Sequence, residues 1–216
     1  GTGNDIFIVD SASDIVTEFS GEGTDRVDSS ISYTLGSHVE NLILTGSENT
    51  SGLGNASANS LTGGSGDNSL NGGDGDDKIW GLAGNDIIIG FAGNNTLEGG
   101  AGNDTISGGS GTDRLVGDSG NDTLDGGAGT DTLVGGSGDD LFKFDSGDGA
   151  DTILDLTSGA GSDDKISLQS YSSFTAFSQI EENSTVVSGN TVIELDGSDS
   201  ITLIGVTSLH QDDFIF

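Results

Sequence analysis

The chain has 216 residues, 39 of them Gly, and sets 36 Asp and Glu against five Lys and Arg, for a formal charge of −31. Leu, Ile, Val and Phe fill 54 positions, a quarter of the chain and just above the roughly 20% below which disorder is expected, so the chain repels itself and has little apolar surface to bury. Recognition of a nucleic-acid backbone is excluded by the lack of clustered cations, disulfides and thiolate metal sites by the absence of Cys, and a membrane helix by the absence of any apolar run near about 18 residues.

Asp outnumbers Glu 28 to 8. A merely solubilising surface needs no such bias, whereas a carboxylate that reaches back to its own loop works better on the shorter stem. Cations are the expected missing stabiliser. With no signal peptide and no Met, the chain reads as processed or as cut from a longer protein.

In chain order, Ile15-Val16, Arg26-Val27, Ile31 to Leu35 and Asn41 to Leu44 are predicted strands between Ser/Gly turns. From Gly63 to Lys143 the chain then divides without insertion into nine nine-residue units. Positions 1 and 4 are Gly in all nine, position 6 is Asp in seven and Asn in two, and position 8 is always apolar, from Leu70 and Ile79 to Phe142. A flexible Gly-rich linker has no reason to hold that phase. Looser copies flank the array at Gly1 to Phe7, Gly21 to Val27, Gly54 to Thr62 and Ser146 to Leu154. Further on come Asp163-Asp164-Lys165-Ile166-Ser167-Leu168, an amphipathic stretch from Ser173 to Ile180, strands at Thr191–Leu195 and Ser200–Ile204, and a terminal Asp213-Phe214-Ile215-Phe216 expected to be exposed.

Glycines at positions 1, 2 and 4 permit turns with positive φ, and positions 7 to 9 are predicted to form a short strand with position 8 inward. One unit cannot bury its single aliphatic residue, so units must stack. Two loops and two strands close one coil, which places each unit beneath the next but one. Stacked strands lie about 4.8 Å apart and calcium–oxygen bonds are about 2.3–2.6 Å, so an ion midway between stacked loops reaches both.

The expected ligands are the position-6 side chains together with carbonyls freed by the glycines. One ladder runs Asn68, Asp86, Asp104, Asp122, Asp140, and the other Asp77, Asn95, Asp113, Asp131, continuing to Asp151. The carbonyls are those of Gly66, Gly75, Gly84, Gly93, Gly102, Gly111, Gly120, Gly129 and Gly138. Nine units give about seven or eight Ca2+ ions, and magnesium, which demands tighter octahedral geometry, suits the site less well. Sites sharing Asn68 or Asn95 lack a charge and are expected to be weaker.

These units resemble the Gly-Gly-x-Gly-x-Asp-x-apolar-x repeats of the RTX (repeats-in-toxin) family, with Leu82, Phe91 and Asp118 departing at position 2. The resemblance implies an all-β fold, a right-handed parallel β-roll (β-solenoid) with a C-terminal β-rich cap. It divides the chain into calcium-poor irregular repeats at 1–62, a calcium-binding roll at 63–154, and a cap with a type I secretion signal at 155–216. The stretch from Ser30 to Gly46 is similar to a longer, calcium-poor unit that precedes such arrays.

Neither His38 nor His210 lies in a zinc motif, and no Gly-x-Ser-x-Gly elbow occurs. Catalysis by this chain is therefore not expected. The leading reading is a secreted or cell-surface module that folds on calcium outside the cell, with the type I secretion machinery as partner during export. A polysaccharide-binding module is the alternative, and ice binding is disfavoured because position 3 is never Thr.

Overall fold

The computed structural model describes residues 1–158 and 164–216; Asp163, named above beside Asp164, lies outside the described residues. Among these, the strands form a twelve-stranded and a nine-stranded sheet, and successive array strands alternate between them. Ser69–Asp74, Ile87–Ala92, Thr105–Gly111 and Thr123–Gly129 lie in the smaller sheet. Lys78–Ala83, Thr96–Ala101, Arg114–Ser119 and Thr132–Ser137 lie in the larger. All these pairings are parallel, and each residue faces its counterpart two units away: Leu70 pairs with Ile88, Ile88 with Ile106, and Ile106 with Leu124.

The position-8 side chains, from Leu70 to Phe142, are fully buried and stack in two columns between the sheets. Burying each contributes about 1.5–3 kcal/mol, but only because the next coil covers it. The strands run past position 9 into positions 1 to 3 of the following unit, longer than the expected 7 to 9. The reason is position 1. Its glycine is not left-handed; it continues the strand as a second inward, buried residue. The expectation of positive φ there is corrected, and the requirement for glycine is one of space.

The roll extends before the array. Ile6–Val9, Arg26–Ser29, Asn41–Leu44 and Ser60–Thr62 add parallel strands to the larger sheet, and Tyr33–Thr34 and Ser51–Leu53 to the smaller. Val9, Val27, Leu42 and Leu61 continue the core. The strand expected at Ile15-Val16 does not form, and Ile15 is exposed. A turn closed by the Asp14 carboxylate, which accepts the Asp10 and Ser11 amides at 3.3 and 3.1 Å, diverts this segment from the sheet.

At the other end, Ser184–Val187, Asn190–Asp196 and Asp199–Leu203 form an antiparallel set. Its last strand pairs in parallel with Ala150–Ile153, so it covers the open edge of the larger sheet. The short helix Phe177–Glu182 places Ile180 in the core. Phe214–Ile215 closes the smaller sheet against Lys165–Ser167, with Phe214 opposite Ile166. Asp213 and Phe214 are therefore buried, which corrects the expected exposure of the terminus. No helix among the described residues is long and apolar enough to cross a membrane.

Candidate metal sites between stacked loops

Eight of the nine array loops pass through position 4 in the left-handed region, at Gly75, Gly84, Gly93, Gly102, Gly111, Gly120, Gly129 and Gly138; Gly66 is outside that region. Leu82, Phe91 and Asp118 adopt left-handed φ of 78°, 85° and 75° at position 2, where glycine is usual. Their backbones follow their neighbours' path at a steric cost.

The position-6 residues sit where the two ladders were expected, all nearly inaccessible. Along one ladder, the backbone amides of Asn68, Asp86, Asp104 and Asp122 donate to Oδ1 of Asp86, Asp104, Asp122 and Asp140 at 2.6–2.9 Å. Along the other, the amides of Asp77, Asn95, Asp113 and Asp131 donate to Oδ1 of Asn95, Asp113, Asp131 and Asp151 at 2.6–3.0 Å. Both ladders run further than the repeat count suggested. Asn59 donates to Asp77 at 2.7 Å, and Asp140 donates to Asp164 at 3.0 Å.

One carboxylate oxygen is thus spent on the backbone. The second oxygen, Oδ2, of Asp77, Asp86, Asp104, Asp113, Asp122, Asp131 and Asp140 is buried and has no hydrogen-bond partner. Asp151 is in the ladder but not in this set, and Asp164 has both oxygens bonded, the second to the Thr157 amide at 2.8 Å. A buried, unpartnered carboxylate oxygen is costly.

What surrounds that oxygen is visible from Asn95, where an amide stands in its place. The Asn95 Nδ2 donates to the carbonyls of Gly93 and Gly108 at 3.3 and 3.4 Å. An Asp in this slot therefore points a negative oxygen at other oxygens. A Cβ added at a position-1 glycine would run into the same place; at Gly99 it would strike Asp104 Oδ2 and the Gly117 carbonyl. Likewise the Gly66, Gly75, Gly84, Gly93, Gly102, Gly111, Gly120 and Gly129 carbonyls crowd the loop glycine of the next coil; among the described residues Gly138 shows no such contact. Position-1 carbonyls such as Gly108 and Gly117 belong to this oxygen-rich gap although sequence reasoning did not single them out.

Burial pushes these carboxylates up from the ordinary 3.8, Asp77, Asp86 and Asp140 to about 6 and Asp122 and Asp131 to about 7. The accepted backbone amide opposes the rise, and neighbouring carboxylates add to it. Such a concentration of buried, like-charged oxygens fits a hard cation held entirely by oxygen. A second, exposed ladder runs along position 5, where Asn85, Asn103 and Asn121 accept at 2.8, 2.8 and 3.0 Å from the amides of Asn103, Asn121 and Asp139. Position 5 is Asp or Asn in seven of nine units, a signal present in the sequence.

A family model of the RTX calcium-binding nonapeptide repeat, four copies long, matches residues 53–88, 89–124 and 107–142. The match begins ahead of Gly63 and takes in the degenerate copy at Gly54 to Thr62. No curated protein matches the chain. Among solved structures, the extracellular lipase LipA from Serratia marcescens is similar at 18% identity and a TM-score of 0.45. That likeness covers 91% of this chain and 45% of the lipase chain, so this chain spans less than half of that protein's length. The array of residues 53–142, with its parallel roll and stacked acidic loops, consists of RTX calcium-binding nonapeptide repeats, and it is a structural, ion-binding domain rather than an enzyme.

Proposed function

We propose that the chain is a calcium-triggered folding module of an exported protein, disordered where calcium is scarce and folded outside the cell. The observation that carries this reading is the set of buried, unpartnered Oδ2 atoms on Asp77, Asp86, Asp104, Asp113, Asp122, Asp131 and Asp140. Without a cation each destabilises the roll; with one, each becomes a ligand. Seven or eight ions lie between loops two units apart, held by position-6 side chains and by carbonyls at positions 4 and 1. Seven divalent ions neutralise about 14 of the 31 net negative charges, which removes much of the repulsion that opposes compaction.

Export through a type I system fits a chain whose folding waits for millimolar calcium, because such a chain stays threadable inside the cell. Burial of Asp213 and Phe214 in the folded roll means that a signal at this end is readable only before folding. The test is circular dichroism of the purified chain in chelator and through a calcium titration. Disorder in chelator and β structure at about 0.1–1 mM calcium are expected, with magnesium ineffective at the same concentration. An equally folded chain in excess chelator overturns the reading.

A further inference from the structure

Outside the matched repeats, the first loops of the chain stack as the array loops do. The Asp5 amide donates to Asp25 Oδ1 at 2.8 Å, as Asp86 does to Asp104. The Thr24 amide donates to Asn4 Oδ1 at 3.0 Å, as Asn103 does to Asn85. A Cβ at Gly23 would run into the Gly3 carbonyl, and the strands that follow, Ile6–Val9 and Arg26–Ser29, pair in parallel register. Asp25 is fully buried, and its Oδ2 has no partner.

This gap differs from those of the array in having a third carboxylate. Glu18, from the irregular segment between the two loops, is buried, and one oxygen each of Asp5, Glu18 and Asp25 lies within 4.8 Å of the others. The Gly1 nitrogen lies 2.9 and 3.2 Å from the two Glu18 oxygens and 3.2 Å from Asp5. Three carboxylates gathered this closely repel one another, and a divalent ion between them offsets that repulsion. Arg26, the nearest cation in sequence, is engaged by Asp28 at 2.7 Å.

We propose that Asp5, Glu18 and Asp25 form a calcium site of their own, in a segment whose sequence reads as calcium-poor. The inference extends the proposed use of calcium to residues outside the repeats and stands on different side chains. Calcium affinity rises with the number of charged ligands, so a site with three carboxylates fills at lower calcium than the array sites.

Native mass spectrometry of the full chain at limiting free calcium tests this, with Ca2+ itself as the probe. Glu18→Gln is expected to remove one bound ion and to abolish the early calcium-dependent amide protection of Ile6–Val9, while ions in the array stay bound. Asp104→Asn is the control: if it loses an array ion while Glu18→Gln retains the wild-type number and affinity, the N-terminal site is overturned and the array reading stands. Among the described residues the Glu18 carboxylate bonds only the Gly1 nitrogen, so this variant keeps the loop contacts; Asp25→Asn, which retains an acceptor for the Asp5 amide, provides the second test with the same expected loss.

Discussion

Asn95 and its Asp counterparts differ by one atom, and that atom has opposite effects with and without metal. In Asn95 the Nδ2 hydrogens satisfy the Gly93 and Gly108 carbonyls, so this gap is stable by itself and poor in charge. Asn95→Asp is therefore expected to lower the stability of the metal-free chain and to tighten calcium binding at the sites it shares, whereas Asp104→Ala weakens binding more than Asp151→Ala. Thermal melts in chelator and calorimetric titrations with calcium check both signs. Identical titrations for the three variants contradict the ladder. Protons act on the same oxygens. Asp122 and Asp131, raised to about 7 by burial, and Asp77, Asp86 and Asp140, raised to about 6, take up protons in the fold before they do in the unfolded chain. Between about pH 7 and 4 the metal-free fold binds more protons than the unfolded chain, so it gains stability as pH falls through that window. Calcium binding needs the deprotonated form and weakens over the same window. Dichroism in chelator at pH 7 and pH 5 is expected to show more β structure at pH 5, while the calcium midpoint moves upward; no gain in chelator contradicts the first half.

At the scale of one strand and its loop, the path is set by the coil and not by every residue on it. Leu82 and Phe91 are both more than half exposed or at that limit, at 50% and 56%, yet sit at φ of 78° and 85°. They pair with Gly100 and Gly109 of the neighbouring coils, which fix the turn. A left-handed conformation costs a side-chain-bearing residue roughly 1–2 kcal/mol, while glycine gives back about half to one of these through its freer unfolded state. Leu82→Gly is thus expected to stabilise the calcium-loaded roll by about 0.5–1 kcal/mol, read from chemical denaturation at saturating calcium. A loss of more than that instead identifies the exposed Leu82 side chain as a packing contact. The strand lengths have the same origin: glycine at position 1 lets the chain continue inward where any Cβ meets the position-6 side chain.

For the whole molecule, stability is shared between neighbours and the ends need covers. The antiparallel set Ser184–Leu203 and the terminal pair Phe214–Ile215 supply one cover, with Phe214 packed against Phe177 and Phe216 at ring-centroid distances of 5.8 and 6.3 Å. Deleting residues 155–216 is expected to abolish export from a host with a matching transporter and to weaken calcium binding by residues 63–143 only modestly. Normal secretion of the truncated protein places the signal elsewhere and leaves this segment as a cap alone.

The nine-residue phase, the two columns of position-8 side chains and both position-6 ladders are legible in the sequence, because a strictly repeated unit with one apolar residue has only one way to bury it: beneath its own copy. Even the position-5 ladder was there to read. The sequence reads less well where the period breaks. Asp164 precedes the inward residue Ile166 by two, as position-6 residues precede position 8, but its spacing from the array carries no repeat. Glu18 is far from Asp5 and close in sequence to nothing acidic that it meets except through the fold. Nothing in Gly99 itself distinguishes a glycine needed for space from one needed for φ; that depends on the Asp104 oxygen, folded back from the loop that follows, and on the Gly117 carbonyl brought to it by the next coil. Periodicity determined which residues share a column. Only tertiary structure decided which oxygens in that column remain without a partner, because partners come from a coil that lies 18 or more residues away.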